Sequence, residues 1–137
     1  MTPMLITWVL TALATVVVVL TRVRLSREEG GAAGRLSIPQ GILNTHTIAG
    51  VPAILVWVAY LLTERPILGL VGLVLWWITV AAGLLILARW LPAKGRHSSG
   101  PATDTWGEGP GLSVLAHVGL LIGVLIFTVF VATGRLF

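Results

Sequence analysis

Four long apolar runs divide the chain, at about residues 4–21, 41–63, 66–91 and 112–134, and polar segments separate them. The first reads "MLITWVLTALATVVVVLT". Each run is about 18–25 residues long, the length a helix needs to cross about 30 Å of hydrocarbon. Strands of a membrane barrel would be shorter and would alternate in character, so the pattern predicts helices. Pro39, Pro66 and Pro110 fall at or just before predicted helix starts, where a missing N–H costs little. Ser37 is placed to cap the second helix. Pro52 lies inside that helix and predicts a bend, with a freed carbonyl that the bundle must satisfy. The expected fold is an all-α, polytopic membrane protein: one domain, residues 1–137, with four transmembrane helices in an up-down-up-down bundle.

The connections set the direction of the spans. Residues 22–40 and 92–111 are long, polar and rich in Gly, Ser and Pro, whereas only "ERP" (64–66) joins the second and third runs. Arg22, Arg24, Arg27, Arg35, Arg89, Lys94 and Arg96 all lie on the side of the two long loops, and only Arg65 and Arg135 lie on the other. The positive-inside rule then puts both long loops in the cytoplasm and both termini outside. The first run lacks a basic leader and a small-residue cleavage site, and so reads as a permanent helix. The expected location is a plasma membrane, multi-pass and of bacterial type, with the lipid bilayer as the principal partner.

Composition agrees and removes several function classes. Apolar residues make up 56% of the 137 positions and charged residues 10%, and mean hydropathy is +0.98. Soluble domains carry about 25% charged residues. The net charge of +4 is no nucleic-acid signature, because the basic residues flank apolar runs. Cysteine is absent, which removes disulfides, thiolate metal sites and cysteine nucleophiles. No P-loop, nucleophile elbow, zinc-protease motif or dinucleotide-binding glycine pattern occurs, and no catalytic residue is assigned. Every carboxylate falls in a connection, with Glu28, Glu29, Asp104 and Glu108 in the long loops and Glu64 in the hairpin. That gives a cation transporter little support.

Two histidines interrupt the apolar runs, in "LNTHTIAG" (43–50) and "VLAHVGLL" (114–121). His46 follows Gly41 by five residues and His117 follows Gly111 by six. At 1.5 Å per residue both imidazoles lie about 7–10 Å below the inner boundary. In an up-down-up-down bundle the second and fourth helices run parallel on opposite corners, so the two rings can point at each other. An ionisable group inside a membrane is costly and marks a functional site by default. The plainer alternative is a neutral imidazole hydrogen-bonded to a threonine or a carbonyl. The sharper reading is a pair of axial ligands to one haem b. Its propionates would reach Arg35, Lys94 and Arg96, with Gln40, Asn44 and Ser113 nearby. Ala49, Gly50 and Ala53, and Ala116, Gly119 and Gly123, leave room for a flat ring or for a neighbouring helix. The third run adds Gly69, Gly72, Thr79 and Gly83, and the first adds Thr7, Thr11 and Thr15, whose hydroxyls can bond their own helix. Trp57, Trp76 and Trp77 sit well inside spans, as packing, as lipid-facing bulk or as the lining of a cofactor or quinone. Trp8, Trp90 and Trp106 suit the interfaces.

The pairing of His46 with Gly50 and of His117 with Gly119, on the second and fourth of four helices, resembles the small membrane-bound b-type cytochromes. The resemblance implies electron transfer through one bis-histidine haem near the cytoplasmic side, with a quinol, a soluble reductant or a partner subunit in the circuit. Two intramembrane histidines allow one haem at most. Three other readings stand beside it. The chain suits a cofactor-free accessory subunit of a larger membrane (respiratory) complex, or a homodimer. His46 suits a quinone or proton-relay site. His46 and His117, with His97 from the loop "KGRHSSG", suit a divalent-metal site.

Overall fold

A computed structural model of the chain describes residues 2–26, 40–90 and 110–137. Ser37, Arg35, Lys94, Arg96, His97 and Trp106 lie outside the described residues. Four helices account for the described chain: α1 (Pro3–Ser26), α2 (Gln40–Thr63), α3 (Pro66–Trp90) and α4 (Pro110–Ala132). All four are long and apolar enough to cross a membrane, and no strand occurs among the described residues. The protein is therefore an all-α, multi-pass membrane protein whose surface helices meet lipid. Helix α2 runs on through Pro52. Helices α3 and α4 both begin on a proline, as the sequence predicts.

The tight hairpin is made by Glu64 and Arg65 alone. Glu64 takes a left-handed conformation with φ of 58°, and its N–H donates to the Tyr60 carbonyl at 2.8 Å. That bond ends α2 in the way a glycine cap usually does, at some cost for a residue with a side chain. The end of α4 uses the glycine itself. Gly134 has φ of 61°, its N–H donates to the Val131 carbonyl, and the Arg135 N–H donates back to the Phe130 carbonyl. The chain then turns inward, burying Leu136 and setting Phe137 edge-on to Tyr60.

Helix α2 lies along α3, α3 along α4, α4 along α1 and α1 along α2. The bundle is thus a closed ring of four, with α2 and α4 on one diagonal. The tightest seam is α2 against α3, and it runs by size. Gly69 lies against the Tyr60 ring, Gly72 against Trp57, Gly50 against Thr79, and Gly83 against His46. The same register puts Ala53 across from Trp76, both fully buried. Along α2 these positions advance by alternate steps of four and three residues, and along α3 by three and four. That is the spacing of a coiled-coil seam. Water-driven burial does not distinguish the seam from the lipid face, so close contact of backbones and side chains has to hold it.

The other two helices keep the same rhythm. Thr7, Thr11, Ala14 and Val18 form the buried line of α1, and His117, Leu120, Val124 and Phe127 that of α4. Thr7, Thr11 and Thr15 each donate their hydroxyl to the carbonyl four residues back, as expected from sequence. Thr11 has a second role, accepting the indole N–H of Trp57 at 3.1 Å across the bundle.

The size rule predicts the effect of filling the seam. A side-chain carbon on Gly72 would meet Trp57 Cε3 at 3.1 Å and its Cα at 3.4 Å, so α2 would have to move. Gly72→Leu is expected to destabilise the detergent-solubilised protein by about 1–3 kcal/mol. Gly119, with nothing within 4 Å of the same position, should accept Leu with little change. Thermal unfolding followed by circular dichroism separates the two.

Candidate functional site: a buried histidine pair

The seam spacing delivers both histidines to the core. His46 opens the buried line of α2, and His117 opens that of α4, at the end of the bundle that carries the long loops. Since these helices stand on the diagonal, the side chains meet across the axis. Their ring centroids are 6.3 Å apart and their planes are tilted by 45°. His46 is 0% exposed and His117 6%. The third member of the layer is Gly83 of α3. A Cβ there would sit 2.8 Å from His117 Cδ2, 3.3 Å from His117 Nε2 and 3.3 Å from His46 Cδ2. Because Cδ2 is bonded to Nε2, both rings turn their Nε2-side edge toward Gly83. The sequence marks Gly83 only as one of several small residues, although its Cβ position meets both rings.

Neither ring nitrogen of His46 has a hydrogen-bond partner among the described residues. An imidazole carries one donor and one acceptor even when neutral. The Thr79 hydroxyl, one layer away, is committed to the Leu75 carbonyl. The simplest structural role, a histidine satisfied by a threonine or a carbonyl, is therefore absent for His46 among the described residues. The Nε2 atom of His117 is buried as well. A buried nitrogen without a partner, as in His46, costs about 1–3 kcal/mol and calls for an explanation.

The remaining expected site residues are placed as follows. Gly50 is buried one turn from His46 and packs on Val18 and Thr79, so it serves the helix seam next to the pair. Gly119 is exposed with nothing near it. Two residues beyond His117, it stands on a different part of the helix surface from the ring. Arg35, Lys94 and Arg96, expected at the propionates, lie outside the described residues, as does His97. Among the inner tryptophans, Trp57 stacks on Phe127 with centroids 4.7 Å apart, and Trp76 packs near the same ring at 6.2 Å. Both fill the core beyond the histidines rather than lining them. Trp77 faces outward and donates to Thr128. The half of the bundle nearer the hairpin is thus closed by aromatic packing, and the pair lies nearer the loop end.

A haem fits these residues in one respect and not in another. His46 and His117, from diagonal helices, could hold the iron of such a group. The macrocycle, however, has to occupy the whole plane between them. The Cβ position of Gly83 is within 3.3 Å of both Cδ2 atoms, so the α3 backbone borders that same plane. In this packing a porphyrin overlaps α3, and binding one requires α3 to withdraw from the pair.

The orphaned nitrogens give a direct expectation for stability. His46→Leu keeps the volume and removes two unpartnered polar atoms, so the ligand-free protein should become more stable, by about 1 kcal/mol or more. Chemical unfolding in detergent reads the change, and a loss of stability would show that His46 is structural. No family model matches this chain and comparison with curated proteins and with solved structures finds no match, so the site stands on its own chemistry.

Proposed function

We propose that this membrane protein carries one metal centre, held between His46 and His117 in the half of the bundle that faces the long loops. The observation that supports the reading is the pair itself: two buried imidazoles from diagonal helices, 6.3 Å apart, with both nitrogens of His46 lacking a protein partner among the described residues. A metal ion supplies a partner for the lone-pair nitrogen of His46. Binding would recover stability that an unpartnered buried nitrogen forgoes, the arrangement expected where function outranks packing. The loop end gives the shorter way in, because the aromatic core of Trp57, Trp76 and Phe127 closes the other half.

The residues divide the work simply. His46 and His117 bind. Gly83 keeps the space beside their Nε2 edges free of any side chain. The seam of α2 on α3 fixes the His46 ring, and the α4 line fixes His117. If a haem is the centre, the pair supplies its axial ligands and the chemistry is one-electron transfer, with α3 displaced at Gly83.

The test is to purify the protein from membranes grown with ample haem, copper, iron and zinc, and to measure metal content and the visible spectrum. One centre per chain is expected. It should be lost from both His46→Ala and His117→Ala and kept in His97→Ala. A colourless, metal-free protein would contradict the proposal and favour a cofactor-free accessory subunit.

A further inference from the structure

Resting on that reading, we infer that the centre is a bare monovalent d10 cation, copper(I) in kind, held in two-coordinate fashion by His46 and His117. Three observations select it. The first is ligand number. No group of three or more His, Cys, Asp or Glu side chains that could hold a metal occurs among the described residues. Zinc takes four ligands, or three and a water. Copper(II) and nickel(II) take tetragonal sets, and magnesium and calcium want cages of oxygens. Imidazole suits copper, and copper(I) is content with two nitrogens in line.

The second is the separation. With a metal–nitrogen bond of about 2 Å and a ring centre about 1.1 Å further on, two collinear imidazoles have centroids about 6 Å apart, against about 5 Å at a tetrahedral angle. The observed 6.3 Å matches the collinear arrangement. The 45° tilt is compatible with it, since each ring can turn freely about a shared N–metal–N axis.

The third is the space. Gly83 closes the gap to a macrocycle and leaves it open to a single ion, at the place where any Cβ would press on both rings. Charge points the same way. The layer lies in a membrane-spanning region without a carboxylate on any described helix. A single positive charge is the least costly cation to hold there, because the desolvation penalty grows steeply with charge.

The test uses the full chain in detergent, loaded anaerobically with copper(I) and titrated against a chromogenic copper(I) chelator, with X-ray absorption at the copper edge. The expected result is one copper(I) per chain with two nitrogen neighbours at about 2 Å. Affinity should fall by more than about a hundredfold in His46→Leu and in His117→Ala, more than the loss of an outer-shell partner causes. Gly83→Val, which forces a side chain between the rings, should weaken copper as well. Three or four light-atom neighbours, or copper retained by both histidine variants, would overturn the inference. Split low-spin haem bands that depend on His46 and His117 would keep the paired-ligand reading and overturn copper. Binding of neither copper nor haem would overturn both.

Discussion

The contact of α2 with α3 is the constraint on which the rest depends. It is a sequence of large groups against small ones: Tyr60 on Gly69, Trp57 on Gly72, Thr79 on Gly50, His46 on Gly83. Each glycine lets the backbones approach to a distance that a second side chain would forbid. Because the hairpin between the helices is only two residues long, the register cannot slip without breaking every pair. His46 is therefore held by the same rule that holds two aromatic rings further along. Its partner across the axis follows, because α4 brings its own buried line to the same level.

The cost of this arrangement is concentrated at one place. The threonines of α1 bond their own helix, Trp57 finds Thr11, and Trp77 finds Thr128. Most polar side chains in the described core are thus satisfied locally or across one interface. His46 and the indole of Trp76 are the exceptions among those groups. For Trp76, packed between α2 and Phe127, nothing in the structure explains the unpartnered N–H. For His46 the explanation lies in its geometry: it stands beside a second buried imidazole and a glycine that keeps the gap clear.

Much of this was legible in the sequence. The four spans, the prolines at helix starts, the two-residue hairpin and the diagonal meeting of His46 with His117 all follow from run length, connection length and depth. What stayed hidden was which face of each helix points inward. In water, hydrophobic periodicity marks that face. Here the lipid-facing residues, Leu13, Leu55, Leu70 and Leu115 among them, are as apolar as the core. The inward face is marked by size and by isolated polar groups. Gly119 shows the consequence: a small residue two positions from His117, it stands exposed around the helix. Gly83 shows the converse. Its value comes from standing opposite two histidines on other helices, which spacing within its own run does not reveal.

The central claim is that His46 and His117 serve one ligand together rather than two roles apart. A double-mutant cycle on copper(I) affinity addresses it most directly, comparing the parent chain with His46→Ala, His117→Ala and the double variant. If both rings hold the same ion, either change alone removes the site, and the double change costs little more than the larger single one. Independent roles would give losses that add within about 0.5 kcal/mol, and that result would contradict the account.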